Sequence, residues 1–292
     1  MTARSLARPL ASQLAKPLTV AGSSGGGFDY VPSALAAYSV KKLRSAAANC
    51  FRVRESSGNT ESDISFSGSA FDSTSLGTFV GANSGYLTKW YDQTANGKDV
   101  LQATTTLQSR IVNAGSIGTG ATFDGTDDAF ALATKLTSGT ITALTVIAKI
   151  VVPALNGSYQ VIASEAATAS YGWAIAVDPA RKLALAYSDD GTTGGAHIYV
   201  GATNAALTQG ATTTVAFTYA AGTILMYVGG SSVAFTGSIS PPTNIFNSSE
   251  VFRIGRTSQG VSSAWFVGEI QSVVVFQSVL TPSEIATLSA QL

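Results

Sequence analysis

Charge, sulfur and histidine are all scarce in this chain of 292 residues. Charged residues make up only 12%, roughly half the usual ~25%. The 17 Lys+Arg balance the 17 Asp+Glu, so no basic footprint exists for nucleic acid or for an anionic membrane. A single cysteine, Cys50, excludes an intrachain disulfide, and one Cys with one His excludes the structural zinc sites built from those ligands. Any Ser-His-Asp or Cys-His constellation would have to run through His197. Its flanks, Gly194-Gly195-Ala196 and Ile198-Tyr199-Val200, read as a turn followed by a strand, without a nucleophile elbow. Cys50 reads as a small buried hydrophobe. No stretch approaches the ~20 apolar residues of a membrane span, so no membrane insertion is expected. The composition calls for no cofactor, and no loop has ligand spacing tight enough to commit to a metal, although Asp124, Asp127 and Asp128 offer oxygen ligands of the kind that Ca²⁺ takes.

What is present divides into a tail and a body. Residues 1–27 carry Arg4, Arg8 and Lys16 and no acid, which makes the tail +3 and the remainder −3. Leu6-Ala7-Arg8-Pro9-Leu10 is echoed by Leu14-Ala15-Lys16-Pro17-Leu18, and the segment ends in the hinge-like run Gly25-Gly26-Gly27. Arg8, Pro9, Gln13, Lys16 and Pro17 interrupt every apolar run, so a secretory signal is not expected. Such a segment buries too little to order itself. It reads as an anchor to another surface, with Leu6, Arg8, Leu10, Leu14, Lys16 and Leu18 as contacts.

Residues 28–292 read as one domain. Ser33 to Arg44 has helix-forming composition, with Leu35, Val40 and Leu43 apolar and Pro32 as a start signal. A strand is predicted over Phe51 to Arg54, a turn at Ser56-Ser57-Gly58-Asn59, a short helix capped by Asp72 through Val80, and a strand over Tyr86 to Tyr91 that breaks into Asp92–Gly97. From Ile141 onward short runs rich in β-branched and aromatic residues, each bounded by turn formers, predict an all-β antiparallel sandwich or jelly roll. Thr281-Pro282-Ser283-Glu284 is a capping box that opens a last helix through about Ala290.

Phe123-Asp124-Gly125-Thr126-Asp127-Asp128, Phe252-Arg253-Ile254-Gly255-Arg256, Trp265 to Phe276 and Leu280-Thr281-Pro282-Ser283-Glu284-Ile285 together resemble the laminin-G-like, concanavalin-A-like jelly roll. That resemblance spans roughly 120–292 and is specific for fold rather than function. Upstream, Ala36 to Arg44, Phe51 to Arg54 and Trp90-Tyr91-Asp92-Gln93-Thr94-Ala95-Asn96-Gly97 are similar to the catalytic domain of arabinofuranosidase B type enzymes. The resemblance implies a nucleophilic Glu in a V-D-x-E motif and a second carboxylate after I-G-G. The matching stretches here are Val177-Asp178-Pro179-Ala180 and Ile254-Gly255-Arg256-Thr257, which lack both. A chain without catalysis is therefore expected. Glu165, Glu269 and the pairs Asp127/Asp128 and Asp189/Asp190 remain as other acids, but adjacent Asp residues in turns more often cap backbone N–H groups.

Two further readings stay open. Trp90, Tyr91, Asp92 and Asn96, with Trp173, Asp189 and Asp190, supply the aromatic and polar chemistry of a lectin-like site, while the same tryptophans fit a core and Asp92 fits a loop staple. The whole layout, a Leu-Ala-Arg-Pro-rich tail before a sandwich, resembles bacteriophage virion proteins. That resemblance implies a homo-oligomer on the virion, assembled in the host cytoplasm and held to other virion proteins by residues 1–27. It would act as a tail fibre reading host cell-surface glycan, or as a head fibre or decoration protein.

Overall fold

The computed structural model describes residues 29, 31, 33–154, 156–192, 196–201, 206–237, 242–257 and 264–292. The tail with its contacts Leu6, Arg8, Leu10, Leu14, Lys16 and Leu18 lies outside them. In the first half, the strands are β1 (Ala36–Ser39), β2 (Asn49–Glu55), β3 (Glu61–Ser67), β4 (Ala70–Phe71), β5 (Gly85–Trp90), β6 (Val100–Leu101), β7 (Arg110–Asn113), β8 (Ser116–Asp124) and β9 (Phe130–Ala131). The second half adds β10 (Ala143–Val151), β11 (Gln160–Ala167), β12 (Ser170–Val177), β13 (Leu183–Ser188), β14 (Ala196–Gly201), β15 (Thr212–Ala220), β16 (Thr223–Val228), β17 (Ser231–Val233), β18 (Phe235–Gly237), β19 (Arg253–Ile254) and β20 (Val267–Phe276). Helices α1 (Ser73–Val80) and α2 (Pro282–Gln291) and a 3₁₀ turn at Thr105–Leu107 complete the set. The expected all-β antiparallel jelly roll is what forms.

One layer runs β17-β16-β15-β10-β20, and β20 pairs along its far edge with β1 and then with β8. The other runs β14-β13-β12-β11-β19-β9-β6-β5-β2-β3. Strand β5 joins them, because its start pairs with β7, and through β7 with β8, while its end pairs with β6. Between the layers lies a chain of aromatic rings: Phe51, Trp90, Tyr38, Phe252, Trp173 and Phe217 follow one another with centroids 5.6 to 6.4 Å apart. These rings belong to one continuous apolar cluster. Outside the first layer, α2 lays Ile285 and Leu288 over Ala37, Val274, Ile147, Ala216 and Tyr227, forming a second cluster. Strand β20 is thus covered on both faces, which explains its uninterrupted Val273-Val274-Val275-Phe276 run.

The capping signals act as expected. Asp72 accepts from Ser75 N at 3.0 Å and from Ser75 Oγ at 2.7 Å, and Thr281 with Glu284 forms the capping box of α2. The helix expected over Ser33 to Arg44 is overturned: Ala36–Ser39 is strand, paired with Val275–Ser272. Tyr38 points into the aromatic core and Ala37 lies under α2. An apolar segment buried on both sides has no periodicity to reveal it, and the weak helical preference of Ala, Lys and Leu yields to tertiary pairing. The β7–β8 hairpin was not foreseen. Its two-residue turn, Ala114 (φ 46) and Gly115 (φ 81), keeps both φ angles positive without the usual Asn-Gly signal.

Candidate functional site

The sequence-predicted binding residues do not meet at one surface. Trp90 and Trp173 are both completely buried and offer no ring face to a ligand, which corrects their assignment as stacking platforms. Trp90 packs on Tyr38, Phe51 and Phe130, and its Nε1 has no hydrogen-bond partner. Trp173 donates its Nε1 to the buried Glu165 at 3.2 Å. Glu165 also accepts from Leu136 N, Thr137 N and Thr137 Oγ, so this carboxylate is an internal brace. Asp92 accepts from Ala37 N (2.9 Å), Thr94 N (3.0 Å), Thr94 Oγ1 (2.6 Å) and Lys98 N (3.1 Å). Asn96 donates to Ala34 O and Leu35 O, both at 3.0 Å. These two residues staple their loop onto β1. Tyr91 donates to Asp63 at 2.7 Å, lies 4.8 Å beneath Lys89, and is pushed up to about 12 mainly by burial. Asp190 accepts from Ser188 Oγ and Thr192 N, both at 2.8 Å, and its neighbour Asp189 is exposed. Cys50 is buried and donates to Ser39 O at 3.3 Å.

A polar cleft of about 530 Å³ opens instead over the outer face of β2, β5, β7 and β8. Register places it: Arg54 faces Tyr86, Tyr86 faces Arg110, and Arg110 faces Thr122, so one row crosses four strands. Asn59, Thr105, Thr106, Gln108, Asp124 and Asp128 complete its lining. The Arg54 guanidinium donates from Nε to Gln108 Oε1 at 2.8 Å and from Nη1 to Asn59 Oδ1 at 2.6 Å, and stands 5.0 Å above the Tyr86 ring. Asn59 occupies a left-handed conformation, φ 55, in the turn after β2, a region Asn tolerates better than most residues. Gln108 is fixed in turn by donating to Gln102 O at 2.9 Å.

The acids of the Phe123-Asp124-Gly125 turn close the other side. Asp124 Oδ1 accepts from Thr126 N at 2.7 Å and from Asp127 N at 3.4 Å, while Asp128 Oδ2 accepts from Asp124 N at 3.0 Å. Gly125, at φ 81, is needed there because a Cβ would fall 2.0 Å from Val267 Cγ2. Burial, helped by repulsion from Asp124 and Asp127, pushes Asp128 up to about 6 against the opposing backbone hydrogen bond from Asp124 and the nearby Arg110 charge. Carboxylate oxygens of Asp124, Asp127 and Asp128 lie within 4.8 Å of one another. They are hard ligands of the kind Ca²⁺ takes, and oxygens of Asp124 and Asp128 are already engaged by turn amides. At the stretches aligned with the furanosidase motifs, Asp178 accepts from Ala180 N (2.9 Å) and Lys182 N (2.7 Å), so it holds the β12–β13 turn. Arg256 lies 4.0 Å from the Trp265 ring.

The acids Asp124 and Asp128 are within the motif singled out from sequence. The residues missed are Arg54, Tyr86, Gln108 and Arg110. The only local signal was alternation, which puts Arg54 opposite Val53; nothing local reports which positions of four separate strands fall in register.

Residues 123–286, more than half of the chain, match the model of the Concanavalin A-like lectin/glucanases superfamily. A GH54 α-L-arabinofuranosidase soaked with a cyclic sulfate inhibitor is similar in structure, with TM-score 0.66 and 15% identity over 88% of this chain. An arabinofuranosidase complexed with arabinofuranosyl-α-1,2-xylobiose gives TM-score 0.56 at 13% identity over 88% of the chain. The chain spans 62% of the length of each of these structures. No curated protein matches by sequence.

Proposed function

Because the chain belongs to the Concanavalin A-like lectin/glucanases superfamily, we propose that it is a noncatalytic glycan-binding protein whose ligand lies in the cleft over Arg54, Tyr86 and Arg110. The observation that carries this reading is the cross-strand row itself. It combines a half-buried ring, planar donors, amide groups and carboxylates in one open concavity, the mix that fixes sugar hydroxyls while an aromatic ring covers an apolar face. Ala180 and Arg256-Thr257 in place of the resembled enzymes' carboxylates favour binding without turnover. Glycan-array binding by the full chain, lost in Tyr86→Ala, tests the reading; retention of every signal by that variant would overturn it.

The setting we propose is the surface of a virion, with residues 1–27 docked on other virion proteins and the sandwich displayed toward host glycan as a homo-oligomer. The basic, Leu/Pro-punctuated tail and the Gly25-Gly26-Gly27 hinge support it. Deleting residues 1–27 is expected to leave a folded sandwich that no longer enters particles, and normal incorporation would refute the anchor. Incorporation without glycan binding would favour a purely structural decoration role.

One observation favours a hydrolase: Asp124 and Asp128 place carboxylate oxygens within 4.8 Å inside the cleft, and Asp128 is poised near 6, the arrangement of an acid and its partner. On the binding reading, 4-nitrophenyl α-L-arabinofuranoside is not turned over above background. Turnover that Asp128→Asn abolishes would establish the hydrolase.

A further inference from the structure

We propose that the cleft receives an anionic group of its sugar ligand, a uronate carboxylate or a sulfate ester, on the paired guanidinium groups of Arg54 and Arg110. This rests on the glycan-binding reading and specifies its ligand class. Arg54 is only 8% exposed, yet its two hydrogen bonds go to neutral amide oxygens, those of Gln108 and Asn59. Among the described residues, no carboxylate lies within 4.0 Å of Arg54 or of Arg110. The adjacent Glu55 is committed elsewhere, accepting from Ser57 N and, at 2.8 Å, from Gly58 N.

A buried cation surrounded by neutral dipoles is incompletely compensated, and an entering anion completes it. Arg110 stands on the far side of Tyr86 in the same cross-strand row. The two α-carbons are therefore about two strand spacings apart, ~10 Å, close enough for both side chains to reach one bound group. The cleft's own acids line its other side and are engaged by the turn: Asp124 accepts from Thr126 N and Asp128 from Asp124 N. A carboxylate, or two terminal oxygens of a tetrahedral sulfate ester, can take two parallel N–H bonds from a guanidinium, which a single sugar hydroxyl does not.

The test is calorimetric titration of the full chain with matched pairs of oligosaccharides. These are trigalacturonate with galactotriose, hyaluronan tetrasaccharide with tetra-N-acetylchitotetraose, and a sulfated carrageenan tetrasaccharide with its desulfated form. In at least one pair the acidic member is expected to bind about tenfold or more tightly than the neutral one, and the preferred pair separates carboxylate from sulfate. Arg110→Gln, at a half-buried position that leaves the core untouched, is expected to erase the preference while its unfolding curve stays near that of the parent. Arg54→Lys keeps the charge but loses the fork, and is expected to weaken acidic ligands alone. Equal binding of both members, lost in Tyr86→Ala, would overturn the anionic assignment and leave the glycan reading intact. Acidic binding that Arg110→Gln leaves unchanged would also overturn it, and no binding by any member would overturn both.

Discussion

Tyr86 and Trp90 stand four residues apart on β5 and face opposite ways: Tyr86 lines the outer cleft, and Trp90 is sealed in the aromatic core. In a regular strand, positions i and i+4 share a face. Here Arg52 pairs with Lys89 and Val53 with Leu87, so Thr88 is an extra residue that reverses the alternation between the two ends. The difference teaches where the aromatic content of this protein goes. The tryptophans that have the chemistry of sugar platforms hold the layers together. The outward row proposed to bind glycan consists of residues that look like ordinary strand surface.

The harshest way to break this contrast is joint deletion of Leu87 and Thr88. Only Lys89 then separates Tyr86 from Trp90, so the two rings fall on one face and every residue beyond is misregistered. The expected result is loss of cooperative unfolding and of near-ultraviolet circular dichroism, whereas deletion of Thr88 alone removes only the bulge and keeps the rings on opposite faces; a native-like spectrum of the double deletion would refute the register. Trp90→Ala and Trp173→Ala are next, each costing about 3–5 kcal/mol by urea unfolding, as large aromatic deletions in cores do. Trp90→Phe should cost clearly less, because it also removes an indole N–H that has no acceptor. Glu165→Ala is expected to cost about 2–4 kcal/mol by the same measurement, since it strands the buried donors of Leu136, Thr137 and Trp173.

Asp128 sharpens the contrast on the cleft side. Its carboxyl is raised from 3.8 to about 6 on folding, so the folded state holds the proton more tightly. The stability this group contributes should therefore be fully present below about pH 4, fall between pH 4 and pH 6, and stay lost above that. Asp128→Asn removes this dependence. The variant is expected to match the parent near pH 4 and to exceed it by about 1–2 kcal/mol at pH 7. Identical pH profiles for the two proteins would contradict the assignment.

Elements whose signals are local are legible in the sequence, and those that depend on distant partners are not. The caps of α1 and α2 and the strands beyond Ile141 were legible, because Asp72, the Thr281/Glu284 box and the β-branched runs act within a few residues of themselves. Strand β1 was not, since burial on both faces erased its period and left only the helical preference of its composition. The Asp124–Asp128 turn was visible as a motif. Its partners Arg54, Tyr86 and Arg110 were not, because they meet only through the register of β2, β5, β7 and β8 and through one inserted residue.

The central claim is that glycan is read on the outer face of β5 and not through its tryptophan. Glycan-array binding by the parent and by Tyr86→Ala, compared at equal concentration after both have given superimposable unfolding curves to within about 1 kcal/mol, tests it most directly. The variant is expected to keep its fold and lose about tenfold or more in apparent affinity for every glycan the parent binds. A variant that binds those glycans as the parent does would contradict it.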